Sequence, residues 1–587
     1  MNEGCFYPAE CTVFPAAGGE VLLKNRNSGS SLFLPAAQYE LFAFLHGCVS
    51  LEEHLQTMLQ ANRYGVSPET LRKLLQGWVA SGLLRPETLL KAGAGKKGRA
   101  LPGTEDRSAL TAAVITADRP EALKQWVESR TGHPDFSVPG IPIFIFDGSR
   151  DPGNVKVNRR TAVAASEDYS GSLVYFGETE KRPFRDSLID ACRQKDIPEY
   201  LVDFALYGPE SGDGFIRTGA NRNTAQLVSG MGNTIYSDDD LYYTKFAHPG
   251  SVLQGLRFEA GGYSRLKFFA SPEDLHNYAV PLEDYNLIAK IEEQLGGSPE
   301  INGGEGADVS AVTPGMARSL EEGGSFIGAV STGYCGARWF TDRYFVDAQR
   351  VFSDDSLYLD RLRYTAAAET GLNIHAVSVP TINDGLIQQG GSLALDGSRE
   401  LPAYFPLDRQ EDSCFGMLFL ACNPGARTLH LPAALYHDPS VKTAVLSGAG
   451  RSLLPGPGQM NHIILSRIAG HFISESPGRR LSEAAQKYTM AASLRPGSFL
   501  EYLRSCYSEY ARGRLAFIDR LLDIYNAEPQ WWASSLRDYR EALTSVLSDP
   551  LVNLPPDYRT WLYMYGELLE AWPVLRTMSA EIVNRII

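Results

Sequence analysis

Three consecutive carboxylates form the strongest chemical signal in the sequence. Asp238, Asp239 and Asp240 follow a short apolar step that contains Ile235 and Tyr236. Carboxylates at positions i and i+2 of a strand-to-loop turn can share one hard divalent cation, which prefers oxygen ligands and also binds phosphate oxygens. The competing interpretation is a solvated acidic turn, which is the usual role of an isolated acidic run. The segments upstream favour the cation.

Two apolar runs upstream also end in polar side chains. Residues 110–115 lead into a loop that carries Thr116 and Arg119, and residues 141–146 lead into Asp147. Helical segments separate these runs, and such alternation is typical of a parallel α/β sheet, which binds ligands at the carboxyl ends of its strands. We therefore expect these three side chains to meet the three aspartates at one sheet edge, a convergence that a solvated turn does not predict.

The order of these loops resembles that of a known enzyme class. A strand with Thr-x-x-Arg-Pro, a strand with Asp-Gly-Ser-x-Asp, the run Asn221-Arg222-Asn223 and the three aspartates are similar to family-2-type glycosyltransferases of the GT-A fold, a Rossmann-like α/β fold. The chain departs from the family pattern at Phe146, where an acidic residue is usual, and at Asn221, where alanine is usual. The resemblance implies a nucleotide-sugar donor, with a UDP-sugar as first candidate, and Mn²⁺ or Mg²⁺ as cofactor. The residues it implies for donor binding are Thr116, Arg119, Asp147, Arg222, Asp238 and Asp239.

The same resemblance implies a set of metal ligands. Asp240 and Asp238 would hold the cation on the donor diphosphate. His437 would complete the coordination, as a late histidine does in many members of the fold. His437 follows an apolar strand and precedes a proline turn, although a lone histidine is more often structural, and His430 and His248 compete for the role.

Glu411 and Asp412 form the second candidate constellation, and they resemble the Glu-Asp motif of inverting GT-A enzymes. In that motif the Asp is the general base for the acceptor nucleophile. In-line displacement needs a carboxylate on the face opposite the leaving diphosphate. The alternative is a carboxylate pair that complements the dipole at a helix N-terminus.

Residues 1–85 predict a small winged-helix α+β unit, with a hairpin over 20–34 followed by three helices. A winged helix often binds DNA, but this one has six Lys or Arg residues against seven Glu and no Asp. Such a near-neutral charge balance is unfavourable for binding the DNA phosphates. The segment resembles the PqqD-like leader-peptide recognition modules of ribosomal peptide-modifying systems. The matching segments are residues 21–23, 34–41, 46–53 and 78–84. That resemblance implies a leader or acceptor peptide that adds as a strand beside the hairpin.

The rest of the chain divides by composition. Residues 86–108 are a Gly/Lys-rich linker, and residues 109–474 form the transferase domain with a long insertion at 241–400 that holds glycine-rich turns near 303–306 and 390–391. Residues 475–587 predict a helical domain over 480–494, 498–526, 535–547, 558–571 and 575–587. Most of its tryptophans are expected in the core of a bundle, and the others in an acceptor groove or a homodimer seam.

Bulk composition excludes several classes of protein. At 587 residues the chain is too long for a single core. A net charge of −14 argues against nucleic-acid binding. No apolar run reaches the ~20 residues of a membrane span, and the first residues are unlike a signal peptide. The eight scattered cysteines contain no CxxC pair, so we expect reduced thiols and a cytoplasmic protein.

The sequence and the two resemblances together predict a metal-dependent inverting glycosyltransferase. Its acceptor is expected to be a Ser, Thr or Cys side chain of a ribosomally made peptide. Two alternatives stay open: a transferase with a glycan or lipid-linked acceptor, and a non-catalytic peptide-binding protein with a degenerate transferase domain.

Overall fold

The computed structural model describes most of the chain. The described residues are 4–62, 64–94, 110–212, 215–229, 232–259, 265–299, 307–337, 356–385, 392–438, 454–469, 472, 476–525, 529–547, 551 and 553–586. The glycine-rich turns predicted near 303–306 and 390–391 lie outside these residues.

The N-terminal unit is an α+β fold with two small antiparallel sheets. One sheet has the order β2-β3-β4 and the other β5-β1-β6. The predicted hairpin is present as β3 and β4, and the three predicted helices are present as α1 to α3. Helix α2 begins with a capping box between Ser50 and Glu53, and Ser67 caps α3 ahead of Pro68. The elements are β1 (Cys5–Pro8), β2 (Cys11–Pro15), β3 (Glu20–Asn25), β4 (Ser31–Pro35), α1 (Ala36–Ala43), β5 (Val49–Ser50), α2 (Leu51–Ala61), α3 (Pro68–Ala80), β6 (Leu84–Pro86) and α4 (Thr88–Ala94).

The predicted linker 86–108 is folded over its first part. Helix α4 occupies residues 88–94, and residues 95–109 lie outside the described part of the chain.

A parallel four-stranded core organises the next segment, with the order β9-β8-β7-β10. Alternate residues of β7 and β8 enter opposite core clusters: Ala113 and Phe144 lie in one cluster, and Val114 and Ile145 in the other. Both faces of this sheet are therefore buried, as expected for parallel strands. The elements are β7 (Thr111–Thr116), α5 (Pro120–Thr131), α6 (Pro134–Ser137), β8 (Ile143–Asp147), α7 (Pro152–Asp168), β9 (Leu173–Phe176), α8 (Glu178–Arg193), α9 (Glu199–Tyr207), α10 (Thr218–Val228) and β10 (Thr234–Asp238).

Beyond β10 the sheet becomes mixed, which corrects the expectation of a parallel sheet. Strand β19 pairs antiparallel with both β10 and β16, and the two long strands β16 and β20 then pair parallel with each other. The region predicted as an insertion thus contributes strands to one 14-stranded sheet. Its elements are β11 (Leu241–Ala247), β12 (Leu256–Glu259), β13 (Arg265–Phe268), α11 (Pro272–Tyr278), β14 (Val280–Pro281), α12 (Leu287–Gln294), β15 (Ala307–Ala311), α13 (Pro314–Glu322), β16 (Phe326–Ala337), α14 (Ser356–Leu359), α15 (Arg361–Thr370), β17 (Leu372–Ala376), β18 (Thr381–Asn383) and β19 (Leu393–Leu395).

The described residues from 477 onward are mostly helical, as predicted, although the helix predicted over 535–547 already begins at Gln530. The helices predicted at 558–571 and 575–587 are a single helix that runs through Pro573. A proline inside a helix removes one backbone hydrogen bond, and here its neighbours Trp572 and Leu575 are fully buried. The elements after β19 are α16 (Glu411–Cys422), β20 (Ala426–His437) and α17 (Pro457–Ala469), followed by the C-terminal helices α18 (Pro477–Ser493), α19 (Pro496–Ile524), α20 (Gln530–Val546) and α21 (Tyr558–Ile586).

The N-terminal unit is fixed to the main sheet through α13. Glu321 on α13 accepts hydrogen bonds from Tyr7, Asn27 and Arg85 of the N-terminal unit. Gly47 donates its backbone N–H to Val312, and its φ of +75° belongs to the left-handed region that glycine favours. The two units therefore meet through backbone as well as side-chain contacts.

No helix among the described residues is both long and apolar enough to cross a membrane. All eight cysteines are described and free of disulfides.

Candidate active site

The three aspartates form the turn that joins β10 to β11, at the carboxyl edge of the parallel strands. Asp238 ends β10 and stands opposite Ile115 of β7, whose last residue, Thr116, stands opposite Asp147 of β8. The loops of three neighbouring strands therefore converge at one edge, as the alternation of strands and helices predicted.

Asp239 is fully buried and held by the loop after β7. It accepts a hydrogen bond from Thr116 Oγ1 at 2.6 Å and forms an ion pair with Arg119. Arg119 Nη1 also donates to Asp240 Oδ2 at 2.9 Å. Thr116 and Arg119, both predicted to bind the nucleotide, thus brace the carboxylate turn, and their contact with a donor stays a prediction.

His437 is the last residue of β20, the strand that pairs with β11 next to this turn. Strand β11 pairs antiparallel with β20, so that Leu241 stands opposite His437, and Asp438 donates its backbone N–H to the carbonyl of Asp240 at 3.1 Å. His437 Nε2 lies 3.6 Å from Asp240 Oδ1, the oxygen that Arg119 does not contact. This separation is too long for a hydrogen bond. It suits two ligands of one cation, which each lie ~2.1 Å from the metal.

The other two candidate histidines lie apart from this pair. His430 is buried in β20, and burial lowers its pKa to about 3. His248 packs its ring against Tyr278, with Nδ1 3.2 Å from the Tyr278 hydroxyl.

Electrostatics at the turn oppose full ionisation of all three aspartates. Burial raises the pKa of Asp239 to about 7, against the opposing charge of Arg119. Burial also raises the pKa of Asp238, although Arg222 opposes the shift. Burial alone would raise the pKa of Asp240 too, but His437 and Arg119 hold it below its ordinary value. Asp240 is therefore the carboxylate of the turn that is best kept in its anionic form.

Helix α10 connects this turn to the second constellation. Arg222 is buried, and its Nη2 donates to Asp238 Oδ1 at 2.9 Å while its Nε lies 3.5 Å from Glu411 Oε1. The neighbouring Asn221 reaches the loop after β8, where a Cβ at Gly148 would lie 2.0 Å from Asn221 Nδ2. Arg222 bridges two carboxylates inside the protein, and its predicted contact with the nucleotide stays a prediction.

Asn223 of the same helix clamps the segment that leads to Glu411. Its Oδ1 accepts the backbone N–H of Tyr404 at 2.7 Å, and its Nδ2 donates to the carbonyls of Tyr404 and Ala205. An amide side chain that receives and donates in this way acts as a strand partner for the segment. The clamp fixes the position of residues 401–407 before they turn into α16.

The turn into α16 contains two residues in the left-handed backbone region. Asp408 has φ of +66° and Gln410, the N-cap of α16, has φ of +79°. Asp118, in the loop after β7, has φ of +56°. Non-glycine residues adopt this conformation at a cost and concentrate at functional sites. Within the described residues only Asp196 also has a positive φ without being glycine, so three of the four strained positions flank the candidate site.

Glu411 and Asp412 differ in their surroundings. Glu411 is 5% exposed, and burial together with the charge of Asp412 raises its pKa to about 7. Asp412 is half-buried, and its Oδ1 accepts the backbone N–H of Ser413 at 2.7 Å. Asp412 is thus the member of the pair that a ligand can reach, while Glu411 is the inner partner of Arg222. The catalytic role predicted for both stays untested.

Asp147 and Asp118 shape the loop after β8. Asp147 accepts hydrogen bonds from the Ser149 backbone N–H, from Asn158 Nδ2 at 2.9 Å and from the Tyr175 hydroxyl at 2.6 Å. Asp118 accepts the backbone N–H groups of residues 150 and 151. The sequence did not single out Asp118, Asn158 or Tyr175. One sequence feature could have indicated Asp118: it lies between a strand and the proline that opens a helix. Aspartate tolerates the left-handed backbone conformation that such a turn can require.

The candidate site is an acidic sheet edge at which two arginines, Arg119 and Arg222, pair with the aspartates. Among the described residues no group of three or more His, Cys, Asp and Glu side chains is arranged to hold a metal. The Asp240–His437 pair supplies two ligands, with Asp238 on the same turn engaged by Arg222. Such an edge can take up a cation together with ligands from a phosphate, and it presents Asp412 as a base nearby.

Comparison with known proteins adds one distant likeness. No protein-family model matches the chain, and no curated protein matches it. Among solved structures, the mannosyltransferase PcManGT from Pyrobaculum calidifontis, in complex with GDP-Man and Mn²⁺, is similar over 82% of this chain and 91% of its own, with 14% sequence identity and a TM-score of 0.24. A likeness with so low a TM-score says nothing about the site.

Proposed function

We propose that this chain is a metal-dependent inverting glycosyltransferase of the GT-A type. It moves a sugar from a nucleotide-sugar, with a UDP-sugar as the first candidate, to a Ser, Thr or Cys side chain of a ribosomally made peptide. One observation carries the proposal. The Asp240–His437 pair and the helix start at Asp412 are joined at one sheet edge by the continuous chain of contacts Asp238–Arg222–Glu411.

The residues present fit a divalent cation. Asp240 Oδ1 and His437 Nε2 face each other at ligand spacing. Mn²⁺ or Mg²⁺ held there would neutralise the charge of a departing nucleoside diphosphate. The protein keeps Asp240 anionic through Arg119, and it holds Asp238 in place through Arg222.

Asp412 is the candidate general base. Its carboxylate would take the proton of the acceptor hydroxyl or thiol while that oxygen or sulfur bonds to the anomeric carbon. The bond from that carbon to the diphosphate oxygen breaks with its electron pair, and the configuration inverts. Glu411 and Arg222 fix the helix start from inside, so that Asp412 is the carboxylate of the pair left at the surface of the site.

The N-terminal unit supports a peptide as the acceptor-bearing partner. Phe14, Leu22 and Phe33 are cross-strand neighbours on the outward face of the β2-β3-β4 sheet, and the two phenylalanines are 45% and 57% exposed. Within the described residues β2 and β4 are sheet edges, each with free backbone groups that can pair with an added strand. An exposed apolar row beside an open edge suits a peptide, as the resemblance to PqqD-like modules implies.

Two alternatives make different predictions. A glycan or lipid-linked acceptor keeps the sugar chemistry but does not use the row of Phe14, Leu22 and Phe33. A non-catalytic peptide-binding protein is favoured by one observation: Asp238, Asp239 and Asp240 all form ion pairs with arginines inside the protein.

The donor experiment measures hydrolysis of a panel of UDP-sugars by the full chain in Mn²⁺. We expect turnover of at least one sugar nucleotide, loss of turnover in EDTA, and loss in Asp240→Ala. The matched control is Asp190→Ala, which removes an exposed carboxylate that pairs with Arg193. Absence of turnover with every donor, or normal turnover in Asp240→Ala, would overturn the transferase proposal.

The acceptor experiment uses synthetic peptides made from any short open reading frames found beside this gene. Phe33→Asp places a charge in the exposed row, and we expect weaker peptide binding and slower transfer to the peptide while donor hydrolysis is unchanged. Phe44→Asp is the control, since Phe44 is 48% exposed in the same unit but is the C-cap residue of α1, outside that row. If Phe33→Asp and Phe44→Asp transfer sugar to the peptide equally well, the acceptor does not dock on this row.

A further inference from the structure

A buried arginine lies beneath the carboxylate turn. Arg130, near the end of α5, is 2% exposed, and its guanidinium stacks on the ring of Trp126 at 3.9 Å from the ring centroid. Helical side chains tilt toward the helix N-terminus, so this long side chain reaches back toward the edge where Arg119 begins the same helix. One helix thus supplies a cation on each side of the turn.

Arg130 holds both ends of the three-aspartate run. Its Nη1 donates to the carbonyl of Leu241, the residue after the run, at 3.0 Å. Its Nη2 donates to the hydroxyl of Ser237, the residue before the run, at 3.3 Å. Trp126 donates its indole N–H to the same hydroxyl at 3.1 Å. A planar guanidinium presents its donors in a fixed fork, so it can fasten two points at a set separation in a way that lysine cannot.

The charge of Arg130 has no counter-ion of its own. Within the described residues no carboxylate forms an ion pair with it, and its guanidinium donates to the carbonyls of Trp126 and Leu241 and to the hydroxyls of Ser129 and Ser237. A buried cation without a paired anion is costly, and a neutral residue that filled the same volume would stabilise the fold better. The two contacts with the ends of the turn are the feature of Arg130 that such a replacement would lose.

From this geometry we propose that Arg130 is a positioning residue for the carboxylate turn. By fastening Ser237 and Leu241 it sets the separation between Asp238, which pairs with Arg222, and Asp240, which faces His437. The consequence for the metal rests on the proposed function above, whereas the consequence for the turn itself does not.

The first experiment needs no metal and no substrate. Amide hydrogen exchange of the full chain is followed in peptides that cover residues 239–243 in wild type, Arg130→Lys and Arg130→Met. We expect exchange there to be faster by roughly tenfold in both variants, because local opening no longer breaks the two hydrogen bonds. Val127→Ala is the control, because it removes buried side-chain volume from the same helix without touching those bonds. Equal exchange at the turn in the Arg130 variants and in Val127→Ala would overturn the proposal.

The second experiment measures binding of Mn²⁺ alone, by electron paramagnetic resonance, at a temperature where every variant is folded. We expect the dissociation constant to rise by about 10–100-fold in Arg130→Met, the usual effect of losing a residue that orients metal ligands. Donor hydrolysis should then recover at saturating Mn²⁺, whereas a general folding defect lowers the rate at every Mn²⁺ concentration. Unchanged Mn²⁺ affinity in Arg130→Met would refute the inference that Arg130 positions the metal ligands. A wild type that binds no Mn²⁺ would instead refute the proposed function, and the exchange experiment would still decide the role of Arg130.

Discussion

Replacement of Glu411 by glutamine tests the electrostatics of the site most directly. Glu411 lies between Arg222 and Asp412, and burial followed by the charge of Asp412 raises its pKa from about 4.5 to about 7. The folded protein therefore keeps a proton on Glu411 between these two pH values, while the unfolded chain releases it. Since the folded state binds more protons in this window, the free energy of unfolding falls as pH rises from about 4.5 to 7.

The size of this effect follows from the same difference. A gap between about 4.5 and about 7 corresponds to roughly 3–4 kcal/mol, at about 1.4 kcal/mol for each pKa unit. Glutamine keeps the shape of the protonated acid and cannot ionise, so Glu411→Gln should lose this share of the pH dependence. The variant should gain stability relative to wild type as pH rises toward 7, and the two should differ least near pH 4.5.

Two measurements check this prediction. Thermal unfolding of wild type and Glu411→Gln is compared at each pH, because a chain of several units need not unfold in one step and the difference between variants is the safer quantity. Infrared difference spectra near pH 6 should show a protonated carboxyl band in wild type that Glu411→Gln lacks. Glu69→Gln, at an exposed position, is the control. Parallel unfolding curves across the pH range, together with the same protonated carboxyl bands in wild type and Glu411→Gln, would refute the reasoning.

The remaining predictions concern three other positions. Asp412→Asn should leave nucleotide-sugar binding intact by calorimetry and lower turnover by ~10²–10⁴, the loss expected for a general base; normal transfer would exclude it from that role. Asn223→Ala removes three buried hydrogen bonds to Tyr404 and Ala205 and should cost about 3 kcal/mol or more in denaturant unfolding, since each of the three partners left unsatisfied costs about 1–3 kcal/mol; an unchanged midpoint would show that the clamp is dispensable. His430, whose pKa burial lowers to about 3, stays neutral in the fold while the unfolded chain takes up a proton below pH ~6.5. Wild type should therefore lose stability as pH falls through that window, and His430→Leu should flatten the loss in thermal unfolding; an unchanged acid limb would contradict this.

Several parts of the fold could be predicted from local sequence. The apolar runs before Thr116 and Asp147 are buried on both faces and alternate with helices, so their carboxyl ends had to share an edge. The helix starts at Ser50 and Ser67 could also be predicted from the sequence, because their capping hydrogen bonds reach only three residues along the chain. Patterns of this kind depend on short-range geometry, which the order of side chains fixes.

The tertiary structure decided which of the predicted polar groups remain open to a ligand. Asp147 had the right type and place for a nucleoside contact, yet its oxygens are engaged by Ser149, Asn158 and Tyr175. Whether a carboxylate is satisfied internally depends on donors from other segments, and sequence position alone does not reveal them.

The sequence by itself determined the acidic turn, the parallel core that carries it and the types of residue that gather there. Only the tertiary structure placed the His437 imidazole beside the Asp240 carboxylate and put Arg222 between Asp238 and Glu411. Those partners are separated by up to about 200 residues and come together through the pairing of β11 with β20 and the packing of α10. The physical reason is that pairing between distant strands depends on the burial of the whole sheet, whereas each strand end follows from its own few residues.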